Sequence, residues 1–378
     1  FTRIQPIRSL MRFLKKTDWP IIPLALGIMW VGLTVQGSVS GGVRYPPSHV
    51  IRMVVAGLAW VLCAAWGERR WRKSPWLVYG ICLALLVLVL LTGRSTNNAR
   101  RWIDLFGGFK LQPSETMKFA VILALAKWFG DHPKPRRMAD LYRPALLVAV
   151  PAILVLLAPD LGTALTFVPM FLGVAWLAGT PWRVLRWVLI LPVLLAPIAL
   201  LFIQDYQQER VMSWWKQSEL TLEEKADVGF HLWHSKMAVG SGGMHGFGWA
   251  RGPENRLDRL PERHNDFVFP VIAEEHGFVG ASLFLLLYAA LGAAAIALAV
   301  KHRDPFTRLY LGGMGLHFLV HLILNVGVTL GVWPTTGLPL PMVSFGGSSM
   351  AMAGVMIGVG LALSASRGPV FTSRAWED

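Results

Sequence analysis

The stretch PWLVYGICLALLVLVLLT, residues 75–92, has no charged residue and is close to the roughly 20 apolar residues that carry an α-helix across a hydrocarbon core. Its surroundings repeat the pattern. Comparable runs lie at Trp19 to Gln36, Val50 to Trp66, Pro113 to Gly130, Pro144 to Leu157, Thr163 to Gly179, Val184 to Ile203, Phe267 to Val300, Phe306 to Val332 and Phe345 to Ser364. Together they predict an all-α, polytopic integral membrane protein with about ten transmembrane helices. The run ending at Leu157 is short and stops just before Pro159, so a re-entrant hairpin is the alternative at that point.

Composition supports the membrane reading. Of 378 residues, 54% are hydrophobic and only 15% charged, too few to wet the surface of a soluble domain. The 17 Trp and 37 Gly fit headgroup anchoring and close helix packing. Cys63 and Cys82 lie inside apolar runs and read as small hydrophobes, not as a disulfide or zinc ligands. The net charge of +14 is spread as short basic clusters between apolar runs, which argues for membrane orientation and against nucleic acid.

Lys and Arg number 20 in the segments that a ten-span count places inside and 5 in the short outer loops. By the positive-inside rule both termini are cytoplasmic. Residues 1–378 form one membrane domain, with a cytoplasmic N-terminus over 1–18, a large extracellular loop over 204–265 between helices seven and eight, and a cytoplasmic tail over 366–378. The first apolar run lacks a small-residue cleavage signal and is expected to be retained.

Five polar clusters interrupt the apolar pattern, all on the outer side, and so predict one outward-facing cavity. Arg101 precedes Gln112-Pro113-Ser114-Glu115-Thr116-Met117-Lys118, where Pro113 preorganises a helix start and Glu115 and Lys118 share a face. That pair is either a structural ion pair or, with Arg101, a cationic seat for phosphate beside a helix N-terminus. Asp160 and Thr163 in Pro159-Asp160-Leu161-Gly162-Thr163 are placed to cap the next helix. The glycine-dense run Gly240 to Gly248 follows no strand, so it is not a nucleotide cradle. Asp266 marks the passage from polar loop to apolar run, as a general base with a raised pKa or as a helix cap. Glu274 and Glu275 lie deeper, and at least one should face protein or water. The last cluster, Trp333 to Ser349, holds three prolines and irregular backbone that must line a cavity or be buried.

In this order the clusters closely resemble the SEDS family (shape, elongation, division and sporulation) of bacterial peptidoglycan polymerases. The resemblance spans nearly the whole chain. Its most specific pieces are Arg101-Trp102-Ile103, Gln112 to Glu115 with Lys118, Pro159 to Thr163, His264-Asn265-Asp266-Phe267, Glu274 to Gly277, Pro339-Leu340-Pro341, and Gly346 to Ser348. The run Leu260 to His264 is closer to the elongation branch than to the division branch. Departures include Phe247 in place of a usual Lys and Phe345 in place of a usual Tyr.

The resemblance implies a glycosyltransferase that polymerises lipid II at the outer face of the bacterial cytoplasmic membrane during cell elongation. Asp266 falls on the family's essential carboxylate. The matching positions Arg101, Trp102, Glu115, Lys118, Asp160, His264, Glu274, Glu275, Ser344 and Ser348 are the substrate-binding candidates. A divalent cation, Mg²⁺ or Mn²⁺, is a possible cofactor, with Asp266 as a possible ligand and no motif that fixes it. The expected partners are a class B penicillin-binding protein, which is a transpeptidase, and membrane proteins of the elongation complex. The buried charges also suit a lipid II flippase, the competing expectation, and a scaffold that only recruits a transpeptidase is a third.

Overall fold

The computed structural model describes residues 20–92, 95–96, 99–104, 110–190, 205–219, 221, 229–260 and 262–365. Four helices open the chain: α1 Ile21–Val39, α2 Pro47–Trp66, the short α3 Glu68–Lys73 and α4 Pro75–Thr92. Two antiparallel ladders of two-residue strands follow over 95–111, the only β-structure among the described residues. Then come α5 Pro113–Asp131, α6 Tyr142–Leu157, α7 Leu161–Leu177, three short helices α8 Asp205–Trp215, α9 Phe230–Ser241 and α10 Pro253–Arg256, and finally α11 Val268–Lys301, α12 Pro305–Thr329 and α13 Gly347–Ser364.

Seven of the described helices are long and apolar enough to cross a membrane. Three expected spans need comment. Helix α5 carries Glu115, Lys118, Lys127 and Asp131 and is too charged to qualify by composition, yet it is buried along most of its length. Helix α7 is apolar and 17 residues long. The run Val184 to Ile203 is helical over 182–190 and lies outside the described residues from 191 on. The expected termini, 1–18 and 366–378, also lie outside them, as does part of the loop over 204–265.

Burial sorts the helices into a centre and a rim. In α13, 78% of the spanning window is buried, against 11% in α2. The centre consists of α5, α12 and α13, and the exposed Leu, Ile and Val of α2, α4 and α6 make the rim, as helices facing lipid should. Gly354 and Gly358 of α13 sit one turn apart against the carbonyls of Ala56 and Trp60 of α2, and a Cβ at either would strike that backbone. This small-residue stripe lets the two helices pack closely without a hydrophobic drive. At the other end from the polar clusters, Arg72 reaches both carboxylate oxygens of Asp304, at 2.9 and 2.6 Å, while Asp304 caps α12 through Thr307 N.

The longest helix is two helices. Its 34 residues would extend about 50 Å at 1.5 Å each, well past a core about 30 Å thick. Gly277, with φ +64°, breaks it. The segment before the break is buried from Val268 to Glu275, whereas the segment after it turns Phe278, Leu283 and Leu286 outward. The glycine-dense run of the sequence is the splint for this break. Phe278 N and Val279 N donate to Gly243 O and Met244 O at 2.8 and 3.1 Å, and Phe247 N and Gly248 N donate to the carbonyls of Glu274 and Glu275 at 3.1 and 2.9 Å. Backbone groups freed by the break thus regain partners inside protein, the condition for irregular chain at membrane depth. The run Phe267 to Val300 is longer than one span requires, which in the sequence already suggests a first part ahead of Gly277 that lines the cavity, and the structure breaks the helix at that glycine into a buried first segment and a long apolar second one.

Candidate active site

The polar clusters gather at one end of the bundle, where α1 and α12 end and α2, α5, α7 and α13 begin. Asp160 organises the first half. It caps α7, its Oδ1 accepting from Thr163 N at 3.2 Å, as the sequence predicts. Its Oδ2 accepts from Gln112 Nε2 at 3.0 Å and Ser114 Oγ at 3.2 Å, which joins the start of α5 to the start of α7. Arg101 is held beside it, its Nε donating to Ala158 O at 3.0 Å and its Nη2 to Pro159 O.

Asp266 belongs to the turn that precedes α11. Asn325 of α12 donates from one Nδ2 to Asp266 O at 2.9 Å and to Leu338 O at 2.7 Å, so the turn and the proline-rich segment are fixed to one amide. The Asp266 carboxylate lies against Gly337 of that segment. The side chain keeps part of its surface open, but the protein around it strips water from the carboxylate. This desolvation, with Glu262 next, raises its pKa to about 7, while Arg210 and Arg101 pull down and Asp160 pushes up. Arg101 and Asp160, from separate stretches of the sequence, thus both act on the Asp266 carboxylate.

Arg210 of α8 and Glu262 belong to this group and were not foreseen. His231 of α9 also faces them: burial lowers its pKa, with Arg210 lowering it further and Glu262 opposing, and its ring stands 5.9 Å from that of Phe267. The available signal for Arg210 was a cation within a polar stretch between two apolar runs, a weak one.

Other candidates brace the site through backbone. His264 O accepts from Gln36 Nε2 at 2.9 Å and from Phe345 N at 2.8 Å. Ser344 Oγ donates to Asn265 O and accepts from Leu340 N. Ser348 Oγ donates to Lys110 O at 2.7 Å and accepts from Gln112 N at 3.0 Å. Trp102 is half-buried beside Arg101 in sequence.

Four charged candidates are drawn into the protein. Lys118, fully buried, donates to Glu115 Oε1 at 2.7 Å and also meets His321 Nε2 at 3.0 Å. Glu274 accepts Glu254 N at 2.7 Å and Asn255 N at 3.2 Å at the start of α10. Glu275 Oε1 accepts from Ser38 Oγ and, at 2.9 Å, from Asn255 Nδ2. Both glutamates thus face protein, as membrane depth requires.

A cleft of about 580 Å³ opens at this end of the bundle, lined by Gln36, Leu260, Glu262, Arg263, His264 and Phe345 with three neighbours. Its wall from Glu262 to His264 runs directly into the Asp266 turn.

The family model described as "Cell cycle protein", FTSW_RODA_SPOVE, matches residues 37–368. The peptidoglycan glycosyltransferase MrdB of Escherichia coli K12 is 37% identical over 295 residues, covering 77% of this chain and 77% of that protein. The rod shape determining protein RodA of Thermus thermophilus superposes with a TM-score of 0.69 at 31% identity, over 93% of this chain and 97% of the other. A chain from a structure described as the structural coordination of polymerization and crosslinking by a peptidoglycan synthase complex gives a TM-score of 0.78 at 32% identity, over 92% and 97%.

Proposed function

Because the chain belongs to the FtsW/RodA/SpoVE family, we propose that it is a peptidoglycan glycosyltransferase that polymerises lipid II at the outer face of the cytoplasmic membrane. The observation that carries this reading is Asp266, a desolvated carboxylate with its pKa raised to about 7 that feels the charges of Arg101 and Arg210, in the turn before α11 at one end of a membrane bundle. A general base works best with a pKa near the operating pH.

In this reading the acceptor sugar's 4-hydroxyl attacks the anomeric carbon of the lipid-linked donor. Asp266 takes the hydroxyl proton as the new C–O bond forms. The bond to the pyrophosphate breaks with inversion, and undecaprenyl pyrophosphate leaves. Arg101 and Arg210 face the negative charge that develops on the leaving group, and fixed cations at such a point are a large part of catalysis. The carbonyls of Ala158 and Pro159, next to the Asp160 hub, hold Arg101 in place. Among the described residues no three His, Cys, Asp or Glu side chains converge as a metal set. A Mg²⁺ or Mn²⁺ ion needs only one or two protein carboxylates beside substrate phosphates, and Asp266 would be its ligand here.

The elongation role is the finer part of the proposal, supported by the likeness to RodA and MrdB. A transpeptidase of the class B penicillin-binding type is the proposed partner, supported by the likeness to a chain of a peptidoglycan synthase complex. The test is conversion of lipid II into glycan strands by the purified protein, alone and with that partner. Flipping of fluorescent lipid II in vesicles without any glycan product would favour the transporter reading instead.

A further inference from the structure

Phe345 is the floor of the 580 Å³ cleft, and beneath it lie two polar side chains that nothing in the proposed reaction uses. The Arg52 guanidinium carbon stands 3.4 Å over the centre of the Phe345 ring. The His49 ring stacks on the same phenyl at 6.3 Å and 15°, and His264 meets it edge-on at 5.9 Å. His49 is completely buried, and neither of its ring nitrogens has a hydrogen-bond partner; Arg52 Nη1 is likewise buried without one.

Buried donors without partners are rare in native proteins, and each one asks what it meets in the working molecule. Stacking on Phe345 offsets part of the cost of the Arg52 charge but satisfies no N–H. Asp258 pairs with Arg263 at 2.7 Å, and Glu262 accepts from Asn265 Nδ2 at 3.0 Å. Asp258 is thus paired with Arg263 and Glu262 stays an exposed carboxylate at the rim, so an anion entering the cleft would meet its unsatisfied positive charge at Arg52, behind the Phe345 ring.

We infer that this cleft is a binding subsite for a phosphate carried on a lipid, with Arg52 and His49 as its buried donors and Phe345 as the ring that moves aside to admit it. Arg52 supplies a planar fork suited to phosphate oxygens. His49 supplies one N–H. Both lie within the first two turns of α2, at the same end of the bundle as Asp266. The cleft wall over 262–264 is the chain that leads into the Asp266 turn, so the subsite and the base share one segment. The inference rests on the polymerase reading for its preferred ligand, a polyprenyl pyrophosphate, while the headgroup of an anionic phospholipid shares the chemistry.

The test is a binding titration on the full-length protein in phosphatidylcholine nanodiscs, with three probes: a polyprenyl pyrophosphate, the matching uncharged polyprenol, and phosphatidylglycerol. Wild type should bind the pyrophosphate at least tenfold more tightly than the polyprenol. Arg52→Gln should erase that preference at an unchanged Tm, and Arg52→Lys should keep most of it. If Arg52→Gln does not fold, Phe345→Leu serves, and a threefold or larger change for the pyrophosphate alone supports the subsite. Phosphatidylglycerol competing as well as the pyrophosphate would support the subsite and assign it to membrane lipid. A full pyrophosphate preference in folded Arg52→Gln, or no effect of Phe345→Leu, would overturn it. Glycan formation by wild type from lipid II is a separate readout, so the polymerase reading and the subsite can fail independently.

Discussion

Lys118 of α5 and His321 of α12, 203 residues apart, meet at 3.0 Å in the interior of the bundle. An ammonium has only donors, so His321 Nε2 accepts, and its Nδ1–H is left to donate to Pro339 O at 3.2 Å. One chain of contacts thus runs from Glu115 through Lys118 and His321 to the proline-rich segment that lies against Asp266.

The first prediction separates structure from chemistry in that chain. Lys118→Met leaves Glu115 buried without its partner and should cost roughly 3 to 5 kcal/mol in stability. Adding Glu115→Gln should restore most of the lost Tm, because the remaining pair carries no uncompensated charge. If Lys118 only positions the segment, the double variant regains activity with stability. If it contacts phosphate, polymerisation stays low while Tm recovers.

The second concerns the Asp160 hub. Asp160→Ala removes a helix cap and strands the Gln112 amide and the Ser114 hydroxyl, and should cost roughly 2 to 4 kcal/mol. Asp160→Asn keeps an acceptor oxygen and should cost less. Thermal unfolding in one detergent ranks the two, and equal losses would argue against the capping role.

The third addresses the broken helix. A Cβ at Gly277 would collide with the backbone of the Met244 to Gly246 splint, at a φ that side chains avoid. Gly277→Ala should destabilise by on the order of 2 kcal/mol or more. Gly57, where an added methyl would meet nothing within 4 Å, is the control, and Gly57→Ala in the same fold should gain roughly 0.5 to 1 kcal/mol.

The fourth follows from the raised pKa of Asp266. Its folded value, about 7, lies above the ordinary 3.8, so folding favours the protonated form. The stability this contributes is fully present below about pH 4 and is lost as pH rises toward and through about 7. Asp266→Asn should therefore raise Tm more at pH 8 than at pH 5, and an equal gain at both would contradict the shift. Activity runs the other way: the base is the ionised form, so polymerisation should rise through about pH 7 and level off above it.

Much of the site was legible because charge in an apolar chain is conspicuous. Asp266, Arg101 and Asp160 stand out for that reason, and the three-residue spacing of Glu115 and Lys118 already implies their pair. What was hidden depends on partners distant in sequence. Nothing local says that Glu274 would bind amides 20 residues upstream, or that the run Gly240 to Gly248 would splint a break at Gly277. Arg210 and His321 each lie in a helix whose facing side only tertiary packing decides. The run Val184 to Ile203 shows the limit from the other side, since hydropathy predicts a span there that lies largely outside the described residues.

The most direct measurement is the rate at which purified Asp266→Asn converts lipid II into glycan strands at pH 8, beside wild type and with Tm recorded for both. The account predicts a folded variant that still binds lipid II and whose polymerisation falls by at least 100-fold, the scale of a lost general base. A folded variant that polymerises within threefold of wild type would contradict it.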